Sequence, residues 1–215
     1  DVTNASRSML YNIHTLKYDD DLCDLFQIPK SALPSVHPSS HIFGTFNYQE
    51  RNIPIQSMIG DQQSALYAQC NRSQGTIKNT YGTGLFLMAN TGPTIVQSND
   101  LVRTIAVGIG SDVDYAIEGS VFTGGSLIQW LRDQLGVLNH AEESEMLAQS
   151  VDSTHGVYIV PALTGLGAPH WRPDATGLIT GLTRSSSKAH IVRAALESIA
   201  LQSNDIIESL RAECS

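Results

Sequence analysis

Four β-rich runs follow one another between Gly75 and Val121, with no helix-like segment between them, and this constrains the fold most. "GTIKNTYGTGLFLMANTG" reads as a hairpin of two runs around Gly82-Thr83-Gly84, and "LVRTIAVGIG" and "VDYAIEGSV" supply two further strands. Strands joined by short turns pair antiparallel, because parallel neighbours need a crossover of roughly a dozen residues or more. The chain is therefore expected to build an α/β fold around a partly antiparallel sheet.

The flanking segments fit that core. "YDDDLCDLFQI" reads as a short helix, with Asp19, Asp20 and Asp21 placed where acidic side chains favour a helix start. "PKSALPSVHPSSH" reads as loop. Its His37 and His41 have the spacing of a helical metal pair, but Pro38 between them argues for two loop histidines. "NIPIQSMIG" is expected to be a buried strand and "DQQSALYAQC" a helix. "GGSLIQWLRDQLG" is a helix with Leu127, Trp130, Leu131 and Leu135 on its apolar face, closed by Gly136. "HAEESEMLAQS" reads as a more exposed helix, and "GVYIVPALTGLGAP" as a strand feeding a long buried loop. The last segment, from Ser187, is the clearest helix, with Ile191, Ala195, Ile199, Ile206 and Leu210 in one stripe. A composition shift at "NRSQGT" after Cys70 suggests a boundary between residues 1–70 and 71–215.

Composition narrows the function classes. Hydrophobic residues make up 41% of 215, enough for a core and too many for wholesale disorder. The net charge of −8 comes with no Lys/Arg cluster of the kind nucleic-acid binders carry. No apolar stretch has the length needed to span a bilayer, and "DVTNASRSML" lacks the pattern of a signal peptide. Cys23, Cys70 and Cys214 are scattered, without metal-ligand spacing, which fits a reducing, cytoplasmic setting.

Three short motifs can carry chemistry. Asp61 follows a strand and opens a helix, where free backbone N–H groups and the positive dipole end favour a carboxylate. Such a group can be a cap, or a base that takes a proton from a substrate hydroxyl. "NTYGTG", Asn79 to Gly84, is either a plain turn or a loop whose backbone and Thr83 hydroxyl approach phosphate oxygens. "TGGSLIQ" places Gly124 and Gly125 at a helix entry, which is either an ordinary helix start with a surface Gln129 or an anion site whose ligand Gln129, one turn on, can reach. The glycine-rich "LTGLGAPHWRPDATGLITGL" reads as a buried loop with no chemistry assigned to it.

Taken together, these blocks resemble the FGGY family of carbohydrate kinases. "DVTNASRSMLYNIHTL", "GDQQSALYAQ", "KNTYGTGLFLMANTG", "YAIEGSVFTGGSLIQWLRD" and "GVYIVPALTGLGAPHW" occur in the family order. The second family signature also fits, through Gly177, Ile179, Gly181 and Leu182 and then His190, Ile191, Ala194, Ala195, Leu196 and Glu197. "GDQQ" and "NTYGTG" point to the glycerol-phosphorylating branch over xylulose-type relatives. The resemblance implies an actin-like ATPase (ribonuclease H-like) fold of two domains, with ligands in the cleft. It implies that Asp61 is the general base acting on a terminal hydroxyl of glycerol, which attacks the γ-phosphate of ATP with Mg2+. Gln62 resembles a polyol-binding residue, Thr83 a nucleotide phosphate ligand, and Gly125 and Gln129 further ADP-contacting positions.

The departures from the family pattern are large. The chain begins at Asp1 without a Met, ends at Ser215 directly after a helical pattern, and lacks the family's first glycine-rich phosphate loop, early glycerol-binding residues and late adenosine motif. It therefore reads as a central fragment, the end of the first domain and the start of the second, each incomplete and inactive in isolation. Exposed strand edges and some self-association are expected of it. Members that fructose 1,6-bisphosphate inhibits carry a glycine-rich loop with an Arg where this chain has "GTFNYQERNIPI", so that allosteric site is expected to be absent. Two other readings stay open: a kinase of the same family for another polyol or sugar, and a non-catalytic, kinase-like binding chain.

Overall fold

A computed structural model of the chain describes residues 1–213. In order, the elements are α1 (Val2–Ala5), β1 (Tyr11–Asn12), β2 (Lys17–Tyr18), α2 (Asp20–Leu25), a 3-10 turn (Lys30–Ala32), β3 (Ser40–Tyr48), β4 (Arg51–Ser57) and α3 (Asp61–Cys70). There follow β5 (Ile77–Tyr81), β6 (Leu85–Gly92), β7 (Val102–Ile109), β8 (Asp112–Val121), α4 (Gly125–Asp133), α5 (Glu143–Gln149), β9 (Tyr158–Val160), β10 (Leu178–Thr180) and α6 (Lys188–Glu213). The four consecutive strands expected from Gly75 to Val121 are all present. They join β3 and β4 in one six-stranded sheet, ordered β4-β3-β7-β8-β6-β5.

The chain divides into two compact units. The first holds residues 1–78, 88–98 and 102–118; the second holds 79–87, 99–101 and 119–215. Strands β5, β6 and β8 each contribute residues to both.

In the first unit, β7 and β8 pair antiparallel from Val102↔Glu118 to Ile109↔Asp112, with one irregularity between Ile105 and Val107. β3 meets β7 in parallel at Ser40↔Ile109. Side chains alternate across a strand, so adjacent Ile105 and Ala106 serve opposite faces. Ile105 packs with Val2, Ala5 and Tyr11. Ala106 packs with Leu66, Cys70, Met88 and Ala116, under α3. Cover on both faces explains why "IAVGI", from Ile105, is continuously apolar rather than alternating.

One expectation fails here. β4 was expected to be buried, but each of its residues is exposed. The cause is position: β4 is an edge strand and its hairpin partner β3 is itself largely exposed, so the apolar Ile53 and Ile55 cover no core. β3 was not anticipated at all, and it takes in His41. The rings of His37 and His41 stack 4.0 Å apart rather than pointing to a common ligand. Among the described residues no group of three or more His, Cys, Asp or Glu is placed to hold a metal ion.

In the second unit, the 26-residue α6 is the organising element. Its buried stripe includes Val192, Ala195, Ile199, Ile206 and Leu210, and it packs against α4, α5 and β9. α4 buries Leu127 and Leu131 but ends at Asp133, so Leu135 lies beyond it and is exposed. α5 buries none of its residues, as its composition implied. β9 and β10 pair antiparallel through Ile159↔Ile179.

Cys23 and Cys70 are buried free thiols, and Cys214 lies outside the described residues. Among the described residues no helix is long and apolar enough to cross a membrane.

Candidate active site

Asp61 is the first helical residue of α3. The N-cap is Gly60, which makes no side-chain capping bond. The capping reading of Asp61 therefore does not describe this helix, and its carboxylate is exposed at the head of the first turn. Two neighbours fix that turn. The Gly60 N–H donates to Thr3 Oγ1 at 2.9 Å, and Thr3 is fully buried beneath the Asp1 carboxylate. Gln62 Nε2 donates to Asp61 Oδ2 at 3.2 Å.

Behind this pair lies a group that the motifs did not flag. Lys78, on β5, is 2% exposed, and its ammonium donates to Gln62 Oε1. Burial pulls the Lys78 pKa below the ordinary lysine value, while the negative charges of Glu118 and Asp61 act in the opposite direction. Glu118 is also buried, at 3% exposed, and its Oε1 accepts from Arg7 at 3.2 Å. The signal was present in the sequence as a lysine between Ile77 and Asn79 and a glutamate in the apolar run "YAIEGSV". Buried charges need partners, and nothing local indicated which.

Thr83, Gly125 and Gln129 belong to the second unit. Here two motifs that were read separately become one structure. The Thr83 carbonyl accepts from the N–H groups of Gly124, at 2.8 Å, and Ser126, at 3.2 Å, and from the Ser126 hydroxyl at 2.8 Å. The Gly125 N–H donates to the Gly82 carbonyl at 2.8 Å. The first N–H groups of α4 are thus engaged by the 82–84 turn, so the helix entry is not the bare anion site its glycines suggested.

What the turn presents outward is Thr83, exposed, beside the exposed Gly125 and Gln129. Positions 125 and 129 share a helix face by spacing. Glycine is required by contact: a Cβ at Gly125 would sit 2.8 Å from the Gly82 oxygen, and one at Gly84 2.4 Å from the Val121 oxygen. An exposed hydroxyl and amide suit phosphate and ribose oxygens, though they supply no positive charge of their own. A cleft of about 390 Å3 lies in the same unit, between Leu127 and Trp130 of α4 and the 161–179 loop. Residues 161–177, to which the motifs assign no chemistry, supply most of the cleft wall.

Comparison with known proteins bears on this arrangement. Residues 1–68 match the family model "FGGY family of carbohydrate kinases, N-terminal domain" and residues 77–215 match the C-terminal domain model of the same family. The chain is 53% identical over 213 residues to the glycerol kinase of Shewanella pealeana, covering 98% of this chain and 43% of that protein. It is also 53% identical over 214 residues to glycerol kinase 1 of Clostridium tetani, with 98% and 43% covered. A crystal structure of Plasmodium falciparum glycerol kinase with ADP superposes with a TM-score of 0.89 at 41% identity, over 99% of this chain and 44% of that one. The chain thus spans less than half the length of the relatives it matches. Its architecture is the actin-like ATPase fold of these sugar kinases, as the resemblance implied. The chain belongs to the FGGY family of carbohydrate kinases.

Proposed function

We propose that this chain forms the central part of an ATP-dependent glycerol kinase. The observation that carries the proposal is the Asp61–Gln62 pair: an exposed carboxylate at the head of α3, oriented by the neighbouring amide. In this reading Gln62 hydrogen-bonds the polyol and Asp61 accepts the proton of a terminal glycerol hydroxyl. The freed oxygen attacks the γ-phosphorus of ATP, the bond from that phosphorus to the β–γ bridging oxygen breaks, and ADP leaves. Thr83, Gly125 and Gln129 hold the nucleotide. Mg2+ bound to ATP would supply the positive charge that these three neutral groups lack. Products are glycerol 3-phosphate and ADP.

Two further points belong to the same reading. In sequence, the division between the two family domains is placed near Cys70, giving 1–70 and 71–215, a reading supported by the 69–76 interval that the two family models leave between them; the two compact units of the fold interleave across that point. A cytoplasmic location fits an ATP-consuming enzyme with free buried thiols. Because the chain spans 43% of its relatives' length, the activity is assigned to the whole protein and not to this stretch alone.

The test is ATP-dependent formation of glycerol 3-phosphate by the full-length protein beside its Asp61→Asn variant. The variant is expected to bind glycerol but to lose about 100-fold or more in kcat, as removal of a general base does. Equal rates would reject Asp61 as the base; formation of a different phosphorylated polyol or sugar would move the substrate to another branch of the family.

A further inference from the structure

An amide side chain has two ends that differ in hydrogen bonding and hardly at all in shape. Gln62 is useful to Asp61 in one orientation only, with its NH2 toward the carboxylate. The opposite orientation would set a carbonyl oxygen against a carboxylate oxygen. Lys78 decides between them. An ammonium has donors and no acceptor, so the end of Gln62 that faces Lys78 must be Oε1, which leaves Nε2 for Asp61.

Lys78 is in turn held where a lysine is costly to bury. At 2% exposed it needs compensating negative charge, and Glu118, 3% exposed, supplies it. Arg7 anchors Glu118 at 3.2 Å. Arg7, Glu118, Lys78, Gln62 and Asp61 all lie in the first unit, on α1's exit, β8, β5 and α3, so four separate segments converge on the orientation of one amide.

We infer that Lys78 is a positioning residue that sets the orientation of Gln62, and through it the Asp61 carboxylate and the polyol contact, with Glu118 and Arg7 holding Lys78 in place. This rests on the reading of Asp61 as the base and Gln62 as the polyol ligand.

The experiment uses the full-length protein and follows kcat and both KM values. Lys78→Met is expected to lower kcat by about 10-fold to 100-fold, the scale of a misplaced catalytic group, and to raise the KM for glycerol several-fold. The KM for ATP should stay within about twofold, because the Lys78 bond runs to Gln62, the proposed polyol ligand. In the Asp61→Asn background the same substitution should cost less than about threefold in residual kcat, since residues acting as a unit are not additive. Should Lys78→Met fail to fold, Lys78→Met/Glu118→Gln removes both buried charges together and carries the same kinetic signature.

Five results bear on the outcome. Unchanged kcat and glycerol KM in the folded variant overturns the inference. So does a fall in kcat with both KM values unmoved, which marks loss of folded enzyme only. An equal penalty with and without Asp61 overturns it as well. Full activity of Asp61→Asn overturns the base reading first, and the inference with it; loss of activity in Asp61→Asn beside a normal Lys78→Met rejects the inference alone.

Discussion

Thr83 fastens the 82–84 turn to α4 through Ser126: its carbonyl accepts both the Ser126 N–H, at 3.2 Å, and the Ser126 hydroxyl, at 2.8 Å. The hydroxyl bond can be removed without touching the backbone. Ser126→Ala is expected to raise the KM for ATP of the full-length protein by about fivefold, the equivalent of one ordinary hydrogen bond of about 1 kcal/mol. The KM for glycerol should not change. A shift in the glycerol value instead would mean that this turn does not serve the nucleotide.

Close backbone contact at Gly84 makes a separate prediction about stability. An added Cβ would lie 2.4 Å from the Val121 carbonyl oxygen, and a backbone atom cannot swing aside as a side-chain tip can. Gly84→Ala should destabilise by about 1–3 kcal/mol, the range for overpacking a filled space. Chemical denaturation of the variant against the parent reads this directly, and an unchanged midpoint would show that the turn has slack.

In the first unit, Arg72 grips Asp114 through two bonds, Nε to Oδ2 at 2.6 Å and Nη2 to Oδ1 at 2.8 Å. Asp114 is 5% exposed, so Arg72→Met leaves a buried carboxylate without its main partner. About 2–3 kcal/mol should be lost, somewhat below the value for a fully buried pair because the Arg72 side chain keeps contact with water. Replacing both, as Arg72→Met/Asp114→Leu, should recover part of that loss. Urea unfolding of the single and double variants distinguishes a buried-charge penalty from simple loss of packing.

The Arg172 guanidinium, at 2.9 Å, lowers the Asp174 carboxyl from 3.8 to about 2. A carboxyl depressed on folding stabilises the fold in full above its unfolded value, and that contribution fades as the pH falls through its folded value. The window here runs from 3.8 down to about 2. Carbon-detected NMR titration should give the Asp174 midpoint near the lower figure, and Arg172→Gln should return it toward the upper one. A midpoint unchanged by that substitution would mean that the pair does not persist in solution.

Apolar side chains line the exposed β3–β4 hairpin: Phe46 and Tyr48 on one strand, Ile53 and Ile55 on the other. Edge strands of this kind recruit other strands unless charges prevent it. The chain of residues 1–215 is expected to self-associate, and Ile53→Lys/Ile55→Lys should shift sedimentation toward monomer. A monodisperse monomer before any substitution would reject this.

Local patterns made the strands from Gly75 to Val121, α3 and α6 legible, because period and turn residues are written within each segment. Asp61 and Thr83 stand at breaks in those patterns, which is what singles them out as candidates. Burial of β4 was misjudged because its apolar residues match those of an interior strand, and only sheet order reveals that it lies at an edge. Lys78 and Glu118 were missed for a related reason: 40 residues separate the two positions in number, and a charge in an apolar run says only that a partner exists. The glycines at 124 and 125 advertised an open helix entry, and it took the fold to show that carbonyls from the 82–84 turn had already filled it.

The bond from Ser126 to Thr83 spans 43 positions, and this sets an order of events during synthesis. The turn leaves the ribosome before the residue that fastens it, so the hairpin tip first stands without that bond. Closing a loop of that length carries an entropic cost that local contacts cannot offset. The 82–84 turn is therefore expected to become ordered late, only once α4 has emerged and docked.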